Sequence, residues 1–579
     1  MNNLAAVLPY LRRHRIQLGI GLSCILATVS LGLIAPMIIG RAVDALRLEF
    51  TAKALVRYAG LLVGVTLFQG IFSFLQRRIL VAMSRDIEFE IRDRFFAHLQ
   101  RMSQAFYQRY HTGDLMARGT NDLQAVRMLC GPAIMYSANT VLTAIGALFF
   151  MARIDAGLTV LALCTMPLVA MVTKVFGQRI HRSFQRVQEQ FGTITTNVQE
   201  NLSGVRVVRA YAQEIPTQHR FEDLNQEYVE RNRQLIRWTA AFHPLLQGLV
   251  GIGFVAVLWY GGGLVSAGRI TVGQFVTFTF FLARLVWPMI AIGWVINLVQ
   301  RGSASLARIL EVLESAPEIT DGPLCISHQV DGAVLFNDLT FFYEEPKGAA
   351  LADVSFEVAG GATLAIVGRT GAGKSTLLSL VCRLWEPPVG SLLVDGIDIR
   401  RIRLAELRSA VAVVPQETFL FSATLAENIA FGRPTASFDQ IRQAAQTAGL
   451  AEDLEVLPHG FDTVVGERGV TLSGGQKQRV ALARAILRQP RLLLLDDCLS
   501  AVDTRTEEQI LGNLQSEFQG RTVFLVSHRI STVKQADLIL VLDRGRIVER
   551  GDHAGLLARQ GIYADLYRRQ QLEEELAAV

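Results

Sequence analysis

Long apolar windows recur through the first half of this chain, and they restrict its fold more than any other feature. They lie near residues 16–39, 55–75, 132–152, 157–177, 245–268 and 272–298. Each holds roughly 20 residues or more. At about 1.5 Å per residue, a helix of that length crosses a hydrocarbon layer of about 30 Å. The six windows predict six membrane-spanning helices, with both ends of this half on one side of the bilayer. Apolar residues make up 50% of the 579-residue chain and charged residues only 19%, averages that mix a membrane half with a soluble half. At 579 residues the chain has room for more than one domain.

The first window follows the basic stretch "LRRHR", residues 11–15, as the apolar segment of a signal peptide would. It is too long for such a segment, and no small-residue cleavage site closes it, so it reads as a retained helix. The connections after the second and fourth windows, roughly 78–131 and 178–244, are long and rich in arginine. The other connections are short and carry few. The positive-inside bias therefore places the long loops, the N-terminus and the C-terminal half in the cytoplasm. Acidic residues interleave with the basic ones, as in "RDIEFEIRDRFF", residues 85–96. That is a solvated helical face rather than a nucleic-acid surface, and no nucleic-acid partner is expected. The loops read as helices continuing out of the membrane, the first from Arg78 to about Met102. They break near "HTGDLMARGTND", residues 111–122, and "NLSGVRVVRAYAQE", residues 201–214. Thr112-Gly113-Asp114 is the expected first tip and Ser203–Gly204 the second.

Cys24, Cys130, Cys164, Cys325, Cys382 and Cys498 are scattered, with no C-x-x-C pair. Neither a zinc site nor a disulfide framework is expected. Pro317, Gly322 and Pro323 mark a linker. The expected division is a membrane domain over 1–312, a linker over 313–330 and a second domain over 331–579. In the second domain, apolar strands alternate with helical sequence, which predicts an α/β fold with a parallel component.

"GRTGAGKST", residues 368–376, follows the strand "TLAIV" and opens a helical run. It matches G-x-x-x-x-G-K-[ST], the P-loop or Walker A motif, in the required strand–loop–helix setting. Gly368, Thr370, Gly371, Gly373, Lys374, Ser375 and Thr376 are the expected ATP-binding set. Gly371 and Gly373 let backbone N–H groups close around phosphate. Lys374 reaches the β and γ phosphates, and the Ser375 hydroxyl can coordinate Mg²⁺. "LLLLDD", residues 492–497, reads as a buried strand delivering two carboxylates to the same ligand edge. Asp496 is the expected Mg²⁺ holder. Asp497 either orients the attacking water or merely caps the turn that follows; the residues alone leave both open.

"LSGGQKQRVALARAI", residues 472–486, lies between these motifs. A P-loop combined with L-S-G-G-Q resembles the ATP-binding cassette family. The resemblance covers nearly the whole chain and looks like a half-transporter of the exporter type. It implies an all-α six-helix transmembrane domain followed by an α/β P-loop nucleotide-binding domain. It gives Tyr343 the role of stacking on adenine. It makes Gln416 a sensor of Mg²⁺ and water. It makes Ser473, Gly474, Gly475 and Gln476 a signature that binds ATP held by an opposing subunit. It places Asp503 in a loop crossing the dimer interface and makes His528 the switch histidine. "GDLMARGTND" and "GVRVVRAYAQE" resemble regions that touch the cassettes, and "TVVGERG", residues 463–469, resembles their counterpart.

One residue departs from the family pattern. Asp497 stands where the family usually has Glu. One methylene less retracts the carboxylate by roughly 1–1.5 Å, and a misplacement of about 1 Å can cost about a hundredfold in rate. The resemblance then implies one half of a heterodimeric bacterial exporter: it binds ATP, hydrolyses it slowly at its own site and completes its partner's site. Amphipathic drugs, lipids or peptides are the expected cargo and the bacterial inner membrane the expected location. A dedicated lipid flippase, a homodimeric exporter, and an ATP-gated channel or regulatory membrane ATPase remain as alternatives. Arg284, inside the sixth window, is expected with Trp287 and Trp294 to border the translocation path, or else to pair structurally with a backbone or acidic group.

Overall fold

In the computed structural model the described residues are 5, 7–48, 51–344, 348–466, 472–500, 502 and 504–578. They form two compact units. The first comprises Met1–His98 and Gly113–Ser315, and the second Leu99–Thr112 and Ala316–Val579.

The first unit is helical. Six of its helices are long and apolar enough to cross a membrane: Arg15–Arg47, Ala52–Leu99, Thr112–Ile154, Ala156–Ser203, Glu214–Ser266 and Val272–Glu314. Each holds one of the six apolar windows, the fifth of which runs two residues past its helix, so the predicted spans are borne out. Local chemistry sets their starts. Asp155 caps Ala156–Ser203 by accepting from the Leu158 N–H at 2.7 Å. Thr271 and Gln274 form a reciprocal capping box at the start of Val272–Glu314. The Ala156–Ser203 and Glu214–Ser266 helices stay paired well beyond the apolar stretch. There Gln190 donates to the Leu224 carbonyl at 2.9 Å and Arg231 to the Arg186 carbonyl at 2.8 Å.

Proline explains the charge in the sixth span. Pro36 lies inside the helix Arg15–Leu48 and has no N–H, so the carbonyl four residues earlier, that of Gly32, loses its helical donor. In hydrocarbon such a carbonyl must find another partner. Arg284 supplies it: its guanidinium donates to the Gly32 carbonyl. A Cβ on residue 32 would sit 2.6 Å from that guanidinium, so glycine leaves room for the guanidinium in this position. Arg284 is therefore engaged with backbone, the structural alternative left open by the sequence. Trp294 stands edge-on to Tyr136 at 4.7 Å, while Trp287 is 64% exposed.

The third span departs from regular α geometry. π-Helical turns occur at Arg118–Asp122 and at Leu129–Ala133, the second around Pro132. The first turn aims Asp122 at the Val272–Glu314 helix. There it accepts from Ser305 and from the Arg308 Nε, both at 2.9 Å. The first break also differs from expectation. A short helix, Gln104–Arg109, intervenes, capped by Ser103, and Gly113–Asp114 lie in the first turn of the helix that follows. The second break falls as expected, where Ala156–Ser203 ends and Val205–Ala210 begins.

The second unit is α/β. Its described residues form ten strands: β1 (Val334–Phe341), β2 (Leu351–Val358), β3 (Thr363–Gly368), β4 (Leu392–Val394), β5 (Ile397–Asp398), β6 (Val411–Val414), β7 (Leu492–Asp496), β8 (Thr522–Val526), β9 (Leu538–Asp543) and β10 (Arg546–Gly551). One sheet of four is antiparallel, in the order β2-β1-β4-β5. The other, of six, runs β10-β9-β3-β8-β7-β6 and is parallel apart from β10. All residues of β7 and β8 are buried, which is why "LLLLD" and "TVFLV" are continuously apolar up to the edge.

The Pro36–Arg284 relation makes a testable prediction. Arg284→Met should destabilise the full-length protein by about 1 kcal/mol, the scale of an orphaned acceptor. In a Pro36→Ala background, residue 36 again donates to Gly32 and most of that loss should vanish. Thermal unfolding in detergent of the four proteins of this cycle measures the coupling.

Candidate nucleotide site

Four strands of the parallel sheet deliver the site. β3 leads into the P-loop, β6 into Gln416, β7 into Asp496 and Asp497, and β8 into His528. Because they run parallel, their carboxyl ends lie on one edge, where such sheets hold ligands. An open cleft of about 740 Å³ there is lined by Tyr343, Ala350, residues 370–376, Gln416, Asp496, Asp497, Val526 and His528. Residues spread over nearly 190 positions of sequence thus converge.

The P-loop backbone is shaped for an anion. Gly373 caps the helix Lys374–Val381 with φ 100°, a left-handed conformation. A Cβ there would also lie 2.8 Å from the Ala350 carbonyl, so no other residue fits. The helix N-terminus faces the cleft with its unpaired N–H groups and positive dipole end. Lys374 folds back, and its Nζ donates to the carbonyls of Gly368 at 2.8 Å and Arg369 at 3.0 Å. Burial pulls the Lys374 ammonium below its usual range, against the opposing pull of Asp497 and Asp496. Burial pushes the Asp496 carboxyl up, the Ser375 hydroxyl bond opposes this and the neighbouring Asp497 charge adds to it. The hydroxyl of Ser375 and the carboxylate of Asp496 therefore already touch. With the Gln416 side-chain oxygen they make an oxygen-only donor set, the chemistry that suits Mg²⁺. The residues present fit that ion.

Asp497 has φ 46°, a left-handed conformation in which Asp is among the better-tolerated residues. Its N–H donates to the Val526 carbonyl at 2.9 Å, and its carbonyl accepts from the Ser500 hydroxyl at 2.9 Å. Both readings of Asp497 thus have a basis. Its backbone shapes the turn, and its side chain lines the cleft. Tyr343 also lines the cleft, and its hydroxyl bonds to that of Thr376 at 2.9 Å.

Ser473–Gln476 lie elsewhere. Ser473 caps the helix Gly474–Leu487, and Gln476 accepts from the Ser473 N–H at 2.9 Å in a capping box. These residues are not among those lining the cleft of their own chain. A helix N-terminus presenting N–H groups away from that cleft can serve an anion brought by another subunit. Gln478, one turn on, donates to Ser500 at 3.2 Å, which links this helix to the turn after Asp497. Asp503 and residues 467–471, which include most of "ERG", lie outside the described residues. Among the described residues no group of three or more His, Cys, Asp or Glu side chains could hold a metal.

Sequence reasoning passed over a clamp beside His528. Glu507, 2% exposed, accepts from Arg529 and Thr532, and Gln570 accepts from the Ile530 N–H at 2.6 Å. Glu507 and Glu508 are adjacent in sequence, and only the helix register decides that the first is buried.

Lys374→Ala removes the P-loop cation that lines the cleft. A hydrogen bond to a charged group is worth about 1.5–3 kcal/mol, so ATP binding should weaken roughly ten- to a hundredfold. Equilibrium binding of a fluorescent ATP analogue to the full-length protein checks this.

Comparison with known proteins agrees with this geometry. Residues 18–289 match the family model of the ABC transporter transmembrane region, and residues 351–500 match that of the ABC transporter. The chain is 38% identical over 565 residues to the probable multidrug resistance ABC transporter ATP-binding/permease protein YheI of Bacillus subtilis, covering 97% of each. It is 34% identical over 513 residues to the ATP-dependent lipid A-core flippase of Chromohalobacter salexigens, covering 89% of this chain and 88% of the other. A solved bacterial Atm1-family ABC exporter with ATP bound superposes with a TM-score of 0.79 at 29% identity, over 97% of this chain and 98% of that one. The chain belongs to the ABC transporter family, as a multi-pass ABC exporter carrying its transmembrane and ATP-binding domains in one polypeptide.

Proposed function

We propose that this chain is one half of a heterodimeric exporter of amphipathic compounds, with an ATP site that binds nucleotide and hydrolyses it slowly. The observation that carries the reading is Asp497, which lines the cleft beside Asp496, Gln416 and His528 at the place where the family usually has Glu. The chain's own residues divide the work. Backbone N–H groups of 371–376 and Lys374 hold the phosphate oxygens. Tyr343 stacks on the base. Ser375, Asp496 and Gln416 hold Mg²⁺, which when bound neutralises charge on the phosphates. Asp497 orients the attacking water from one methylene too far away, and His528 contacts the γ-phosphate. Ser473, Gly474, Gly475 and Gln476 complete the site of a partner subunit that supplies the longer Glu, and Asp503 lies in the loop that meets it.

Binding of ATP between the two cassettes draws them together, and hydrolysis at the partner's site releases them. The multidrug name of one relative and the lipid A-core name of another support a greasy cargo. A dedicated lipid flippase is the second reading, favoured by the same lipid A-core relative. The arginine-rich loops support placement in a bacterial inner membrane with both termini cytoplasmic.

Purified alone, the chain should turn ATP over slowly, and Asp497→Glu should raise the rate by up to about a hundredfold. Fast turnover by the chain alone, unchanged in Asp497→Glu, rejects the unequal-site reading. Copurification with a second half-transporter carrying Glu at that place supports it. ATP-dependent uptake of a lipophilic dye by inverted vesicles, against its gradient, distinguishes a pump from a channel.

A further inference from the structure

Tyr343 lies just beyond the end of β1, outside the strand itself. A base-stacking ring gains affinity only if its plane is fixed before the base arrives, because ordering it afterwards costs binding energy. The surroundings of Tyr343 supply that order. The ring of Trp385 meets it edge-to-face, with centroids 4.8 Å apart and planes at 81°. Phe341 meets it at 5.2 Å and 85°, and Phe341 and Trp385 also meet at 6.2 Å. At its far end the Tyr343 hydroxyl is tied to Thr376, one turn into the P-loop helix. Trp385 follows the end of that same helix, Lys374–Val381. One short helix therefore carries at its start the phosphate-binding groups and beyond its end the indole that backs the tyrosine. Trp385 is not among the described residues lining the cleft, and Tyr343, which it meets, is.

We propose that Trp385 is a positioning residue for the nucleotide base: it fixes the ring plane of Tyr343 and couples base stacking to the P-loop helix. The inference rests on Tyr343 stacking on the base. Edge-to-face pairs contribute about 0.5–1.5 kcal/mol beyond burial, which corresponds to a change in affinity of roughly two- to tenfold. The effect belongs to the base alone, since the phosphates are held by backbone, Lys374 and Ser375.

The test is equilibrium binding to the full-length protein with two probes, ATP and inorganic tripolyphosphate, which has no base. Trp385→Ala should weaken ATP binding roughly two- to tenfold and leave tripolyphosphate binding unchanged. Trp385→Phe, which keeps an aromatic edge, should restore most of the ATP affinity. In a Tyr343→Ala background, Trp385→Ala should cost nothing further. If Trp385→Ala weakens both probes equally, or weakens ATP binding as much without Tyr343 as with it, Trp385 is merely structural and the proposal is overturned. If Tyr343→Ala weakens ATP binding while Trp385→Ala does not, the positioning role alone fails. If Tyr343→Ala leaves ATP binding unchanged, the stacking reading fails and the proposal falls with it.

Discussion

Every buried backbone polar group in this chain must find a partner inside the protein, and most of the structure is a response to that constraint. In hydrocarbon there is no water to accept or donate, so the first unit is built from long helices that close their own hydrogen bonds. Where Pro36 opens one of those helices, Arg284 closes it from another. A charged side chain that is costly in a membrane is retained because the alternative is an orphaned carbonyl. A Cβ on residue 32 would crowd the place the Arg284 guanidinium takes.

In the second unit the constraint is used in reverse. The P-loop leaves N–H groups unpaired at the start of Lys374–Val381 so that an anion can take them. Strands β3, β6, β7 and β8 run parallel, so each ends on the edge where those groups lie. The four buried leucines of β7 secure Asp496 at its end and Asp497 just beyond. A second capped helix start, at Ser473, lies outside the lining of that cleft.

Much of this was legible in the residues. Apolar run length located the spans because hydrocarbon thickness fixes how many residues a crossing needs. The P-loop and "LLLLDD" were legible because phosphate chemistry demands particular residues at particular spacings. Three things were not. The π-turn that aims Asp122 at Arg308 depends on a one-residue excess in the helix, which no periodicity reveals. The helix Gln104–Arg109 is too short to leave a pattern, so the first tip was placed near Gly113 instead. The Glu507–Arg529 clamp joins residues 22 positions apart whose pairing depends on which side of a helix is buried.

The sequence by itself determined the two-part architecture, the six spans and the presence of the P-loop motif, because length, hydropathy and motif spacing are local properties. It also determined that Asp497 carries one methylene less than the family's usual Glu. Only the tertiary structure decided that Arg284 serves the Gly32 carbonyl, 252 residues earlier and freed by Pro36, that Asp497 adopts φ 46°, and that Trp385 stands against Tyr343. Those are contacts between distant segments, set by how helices and strands pack, and no local pattern encodes them.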